Sequence, residues 1–194
     1  MTSATLESRL DALPALLSSP KLLTGRGYGN EVNFHIFDYP PEREPDIQLA
    51  LPKVVAAVEA QGVQVAVVDL YQTLLGMLEK RGYLEKTLAL EAQRGPEALR
   101  TALRPLLSPD KVADAVTAES SGAQLVLLTR VGAAYPLLRS HSLLNNLQER
   151  LTTVPLVMFF PGRYDGQELR LFGLLKDDNY YRAFRLLPST GAAS

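Results

Sequence analysis

The side chains of this chain that could carry a reaction are few. It has no cysteine and two histidines, His35 and His141. That removes thiol nucleophiles, Cys-containing zinc sites and His-rich metal centres. The glycine-rich stretch Thr24–Asn30 (TGRGYGN) invites a phosphate-loop reading. A loop that cradles phosphate must follow a strand and open a helix, so that its amides converge on the anion. Here the glycines precede the first expected strand and no helix follows, and no GxxxxGK[ST] pattern occurs. The stretch is read as a connector. Ser140-His141-Ser142 looks like part of a nucleophilic arrangement, but neighbouring helical side chains point in different directions and no G-x-S-x-G elbow is present. His35 alternates with Phe34 and Ile36 on a strand and is read as a packed, hydrogen-bonded histidine. Asp177-Asp178-Asn179 offers two adjacent acids, thin support for a metal-dependent hydrolase and natural as a cap before the next element. No catalytic residue, metal ligand or cofactor is assigned.

Two groupings rise above this background. Ligands of open α/β sheets collect outside the carboxyl ends of the parallel strands. Those ends supply Asp38, Asp69, Thr129, Gly132 and Arg163, a candidate anion or nucleotide site, with Gly132 leading towards a helix whose first amides would attract an anion. The second grouping is aromatic. Seven of the fourteen aromatic residues lie between Phe159 and Phe184, interleaved with Arg163, Arg170, Arg182 and Arg185. The first reading of this cluster is core lining and the second a protein interface, since Tyr and Arg together mark interface hot spots and also single-strand nucleic-acid platforms. Asp165, Glu168, Asp177 and Asp178 nearly cancel the local charge, which disfavours nucleic acid.

The elements that must position these residues follow from periodicity. Leu6, Leu10, Leu13 and Leu17 predict an amphipathic helix over about 4–18. Strands are expected at Val32–Tyr39, Val63–Leu70, Gln124–Arg130, Val154–Phe160 and Glu168–Gly173. The second, VQVAVVDL, reads as a strand buried on both faces of a parallel sheet. A helix over about 46–61 carries Pro52 inside its pattern, and residues 70–120 read as helical, with pieces at about 83–94, 96–107 and 109–119. Another helix is expected over about 136–151. Strands four and five are too close for a crossover helix, so antiparallel pairing is expected there. The alternation predicts an α/β three-layer sandwich with a mainly parallel central sheet, Rossmann-like or resembling a degenerate P-loop core without its phosphate loop.

With 194 residues, 46% hydrophobic and 21% charged, the chain has the make-up of one globular domain. The expected organisation is an N-terminal helical arm over 1–30, an α/β domain over 31–187 and a flexible tail over 188–194. A net charge of -1 argues against direct DNA binding on electrostatic grounds. Glu7, Arg9 and Asp11 interrupt any signal-peptide core and no run is long enough to span a bilayer, so a cytoplasmic, non-membrane protein is expected.

Three stretches carry a resemblance: LLTRVGAAYPLLRSHSLLNNLQ (Leu127–Gln148), PLVMFFPGRYDGQELRLFG (Pro155–Gly173) and DDNYYRAFRLL (Asp177–Leu187). With VNFHIFDYPPE near residue 32 and VVDLYQTLL near residue 67, they resemble the BrxB family, protein B of BREX systems, over roughly four-fifths of the chain. The resemblance implies a component of a bacterial BREX phage-defence system. It further implies a non-enzymatic protein that associates with the alkaline-phosphatase-like component PglZ, in an assembly with an AAA+ ATPase and a methyltransferase. The family brings no established catalytic residues to carry over. The expectation is thus an adaptor docking onto PglZ, with Arg139, His141, Asn145, Asn146, Arg163, Tyr164, Tyr180, Tyr181 and Arg182 as partner-binding candidates. The alternative is a nucleotide- or nucleic-acid-binding component of the same system, using the strand-end residues.

Overall fold

A computed structural model describes residues 5–25, 33–176 and 183–187. The leucine stripe near the N-terminus forms α1 (Leu6–Leu17), capped by the Thr5 hydroxyl, which accepts from the Ser8 amide. A short helix, α2 (Pro20–Thr24), follows a Ser19 cap and ends where Gly25 turns left-handed. The β-branched and aromatic run then gives β1 (Phe34–Tyr39). A single 3₁₀ turn at Pro41–Arg43 leads into α3 (Glu44–Glu59), which runs through Pro52. The remaining elements are β2 (Val65–Asp69), α4 (Leu70–Glu79), α5 (Leu84–Leu103), α6 (Pro109–Glu119), β3 (Leu125–Thr129), α7 (Ser140–Gln148), β4 (Leu156–Tyr164), β5 (Leu169–Leu171), β6 (Leu175–Lys176) and β7 (Phe184–Arg185). Gly95 has a non-helical backbone inside α5, so the helix is broken where the sequence places two pieces either side of Pro96. Among the described residues no helix is long and apolar enough to cross a membrane.

The main sheet has the order β2-β3-β4-β1-β7, with all neighbours parallel; β5 pairs antiparallel with β4, and β6 with β5. The period-2 alternation of β1 sends its side chains to two cores. Phe34 and Ile36 pack with α4, α6 and α7 on one face. Phe37 and Tyr39 pack with α1 and α3 on the other, where Leu6, Leu13, Leu17 and Leu22 are sealed from solvent. The chain leaves β1 for α3 on that second face, whereas it leaves β2 and β3 for helices on the first. Connections therefore part beside β1, the arrangement that opens a crevice at the carboxyl ends of an α/β sheet.

Several expectations are corrected. The second strand is not buried on both faces: β2 is an edge strand, and Val67 is 43% exposed. A continuous apolar run reports coverage by helices and does not distinguish an edge from a centre. The helix expected over 136–151 begins later, because residues 132–134 form a 3₁₀ turn and Arg139 is extended before Ser140 opens α7. Pro136 biases the residue before it away from helical backbone. Gly132 thus leads into that turn and not directly into a helix N-terminus.

Two glycines set the geometry of the strand ends. A Cβ on Gly162 would lie 2.1 Å from the Arg170 carbonyl oxygen, across the β4–β5 pairing in which Gly162 faces Leu171. A Cβ on Gly132 would meet Pro161 at 2.8 Å and the Phe172 ring at 2.9 Å. Both positions need glycine so that the hairpin can close on the sheet. Gly162→Ala is expected to lower stability by about 2–3 kcal/mol, since backbone must shift to relieve the overlap. Gly76→Ala in α4, where nothing lies within 4 Å, is expected to raise it by roughly 0.5–1 kcal/mol. Urea unfolding of the two variants checks this contrast, and equal midpoints would refute it.

Candidate functional site at the strand ends

The crevice beside β1 is a cleft of about 630 Å³, whose walls include Arg9, Asp38, Arg163, Arg170, Phe172 and Arg185. Its floor is built by three elements meeting at one carboxylate. Asp38 is the penultimate residue of β1 and is 1% exposed. Its Oδ1 accepts from Arg9 Nη2 of α1 at 3.1 Å, and its Oδ2 accepts from the Tyr164 amide of β4 at 3.1 Å. Arg185 of β7 brings Nη2 to 3.7 Å from the same Oδ2, an ion-pair distance. The Arg9 guanidinium also lies over the Phe37 ring, 4.5 Å from its centroid. Burial draws Arg9 below its usual range; the Asp38 charge opposes this, while the Arg185 charge adds to it. One buried carboxylate therefore stands between two guanidinium groups, so the cleft floor carries an excess positive charge.

The hydrogen bonds on the cleft's flanks are already committed. Asp165 caps the turn after β4, accepting from the Gln167 and Glu168 amides at 2.8 Å each, which holds its carboxyl below the usual range. Glu168 pairs with Lys176 and Arg170, and these hold its carboxyl down as well. Tyr39, at the mouth, donates to Glu44; burial and the neighbouring Glu44 carboxylate push its phenol up, so it stays protonated.

The residues singled out from sequence are distributed unevenly around this cleft. Asp38 and Arg163 line it, Arg163 exposed at the rim. Asp69 instead caps α4, accepting from the Gln72 amide at 3.0 Å, and Thr129 faces it on the buried register of β3, with its hydroxyl 3.4 Å from the Val68 carbonyl. The proposed anion set is thus split between a cleft and a cap. Tyr164, read as a surface candidate, is fully buried, its hydroxyl donating to the Ala183 carbonyl at 2.7 Å. Phe159 and Phe160 are likewise core, so much of the late aromatic cluster lines the interior. On α7, Asn145 is exposed whereas His141 and Asn146 are half-buried, and Arg139 is exposed just before it. Ser142 Oγ lies 2.9 Å from His141 Nε2, so these neighbours do meet at the first turn of the helix, against the sequence expectation. Tyr180, Tyr181, Arg182 and the Asp177-Asp178-Asn179 triplet lie outside the described residues. Among the described residues no group of three or more His, Asp or Glu side chains is placed to hold a metal.

Sequence reasoning missed Arg9 and Arg185. Arg9 stood on the polar side of a leucine stripe, and Arg185 alternated with aromatics; neither signals a partner on another element. His35 is as expected: fully buried, with Nε2 2.6 Å from Asn33 Oδ1. The Asn33 amide nitrogen donates to the Leu22 carbonyl at 2.6 Å, which orients Oδ1 as the acceptor of the imidazole Nε2–H. Burial pushes His35 down to about 4, so it is neutral at pH 7. Between about pH 6.5 and 4 the unfolded chain binds a proton that the folded protein refuses. Stability from this group is therefore full above the unfolded value and lost as pH falls through the folded one, a loss of about 3 kcal/mol. Urea midpoints at pH 7 and pH 4.5 should fall less for His35→Gln than for the parent, and parallel losses would contradict this.

The resemblance carried by the late motifs is confirmed by comparison with known proteins. A family model described as BREX protein BrxB matches residues 66–186. A BREX protein BrxB from Bacillus cereus (strain H3081.97) is 40% identical over 190 residues, 94% of this chain and 97% of that protein. A BREX protein BrxB from Escherichia coli O9:H4 (strain HS) is 35% identical over 196 residues, 100% of this chain and 98% of that protein. No solved structure matches. Agreement at this level over nearly the full length, spanning both the strand-end cleft and α7, means that the chain belongs to the BrxB family of BREX-system proteins.

Proposed function

We propose that this protein is a non-enzymatic adaptor of a BREX phage-defence complex, acting in the cytoplasm and docking onto the alkaline-phosphatase-like component PglZ. The observation that carries the reading is a shared position of Arg139. It lines a basic cleft of about 370 Å³ with Arg100 and Arg104, and also a smaller one of about 180 Å³ with Leu174 and Leu175. The apolar side is the turn between β5 and β6: Phe172 is 38% exposed and Leu174 84%. Large exposed side chains on one tight turn, beside arginines, fit a docking surface better than a folding need. The partner face that complements it is apolar with an acidic rim. Family membership supports a role alongside other BREX components.

This reading uses the exposed candidates Arg139 and Asn145, and it leaves Tyr164 to the core. Nucleic-acid binding gains less support, because arginines and acids alternate along the strand-end cleft and the net charge is -1. Tagged protein co-expressed with the PglZ of its own system is expected to retain that partner. Leu174→Glu and Arg139→Glu should each reduce retention at least about tenfold, whereas Leu49→Glu, exposed on α3, should not. Failure of the folded parent to retain PglZ removes the adaptor reading. Retention undiminished in Leu174→Glu removes this surface.

A further inference from the structure

The charge arrangement at the floor of the strand-end cleft is unfinished. Arg9 is 2% exposed, yet two of its guanidinium nitrogens, Nε and Nη1, are buried without a hydrogen-bond partner among the described residues, and so is Nε of Arg185. Buried donors on a cationic group are costly to leave unfilled. Asp38 offers one negative charge to these two positive ones, and its Oδ2 is shared with the Tyr164 amide. Among the described residues that line the cleft, the remaining acids do not complete the set. Asp165 is held by two backbone amides, Glu168 by Arg170 and Lys176, and Glu42 stands exposed at the rim.

From this we infer that the cleft is a binding site for the oxyanionic head group, phosphate or carboxylate, of a small molecule, held chiefly by Arg185 over the charge of Arg9. Arginine forks match the oxygen spacing of either group and bind it bidentately. Arg185 is 30% exposed at its side chain, so it reaches both Asp38 and the open space. Binding draws Arg185 from its long 3.7 Å contact with Asp38 onto the ligand, and leaves Asp38 to Arg9 and the Tyr164 amide. Arg163 adds a guanidinium at the exposed rim, whereas Arg170 there is paired with Glu168. The cleft, at about 630 Å³, is larger than an inorganic ion needs, and Phe172 and Pro41 give its mouth an apolar wall for the rest of the molecule. The site lies where open α/β sheets take ligands, but it uses side-chain guanidinium groups in place of a glycine loop. It stands independently of the PglZ reading, since it needs no partner protein.

The test is a thermal and calorimetric titration of the full chain with pyrophosphate and, separately, with succinate, against sodium chloride at matched ionic strength. The expected result is a saturable rise in Tm of about 2–4 °C with at least one of the two anions and none with chloride. Whichever anion acts identifies the head group. Arg185→Gln is expected to weaken that binding at least about tenfold, and Arg163→Gln, at the exposed rim, by less. No calorimetric binding of either anion to the parent protein would overturn the inference whatever the variants do. Binding unchanged in a folded Arg185→Gln protein would overturn it as well.

Discussion

A carboxylate sealed at the end of β1 joins parts of the chain that are far apart in sequence. Asp38 takes a guanidinium from α1, an amide from β4 and a second guanidinium from β7. Moving such a charge out of water is expensive, and a buried ion pair often contributes little net stability. Removing one partner is a different matter, because the other is left charged and unsolvated. The interaction therefore acts more as a specification than as a source of free energy. It requires that α1 pack where Arg9 reaches the strand ends and that β7 add to β1 in the register that pairs Ile36 with Arg185. The leucines of α1 supply the burial, and Arg9 sets where along the sheet that burial occurs.

The same constraint links the fold to the sites. Because the connection from β1 leaves on one face and those from β2 and β3 leave on the other, the carboxyl ends of β1 and β4 stay open, and Asp38 sits at the base of the opening. The β4 strand continues past that point through Pro161 and Gly162 to pair with β5, which carries Phe172 and Leu174 outwards on the following turn. One long strand thus forms both a wall of the cleft and the support of the exposed hairpin. Gly132 and Gly162 permit the close approach, which explains why a loop glycine that looked like part of an anion site is a packing residue.

Much of this was legible from sequence, and the failures have physical causes. Period-2 and period-3.6 patterns located the strands and most helices because one-sided burial writes itself into spacing. The alternation in β1 placed His35 opposite Phe34 and Ile36 for the same reason. Apolar runs carry no information on lateral order, so β2 read as buried on both faces although it lies at an edge with Val67 exposed. Strand-end logic found Asp38 and Arg163 but also gathered Asp69, which caps a helix, since both roles suit an acid at the end of a strand. Arg9 was invisible: a single arginine on a helix has no local signature of a partner 29 residues away. The core reading of the aromatic cluster holds for Phe159 and Phe160, and Tyr164 reads from sequence as a partner-binding residue because interface and core draw on the same residue types.

The dependence of the fold on the Asp38 clamp is most directly measured by a double-mutant cycle with Arg9→Met, Asp38→Asn and the two combined, followed by urea unfolding. Each single change is expected to cost about 3–5 kcal/mol, because it strands a buried charge or donor. The combined change should cost well below the sum, giving a coupling of about 2–3 kcal/mol. Single costs that simply add, to within roughly 0.5 kcal/mol, would show that Arg9 and Asp38 act independently and would contradict the account.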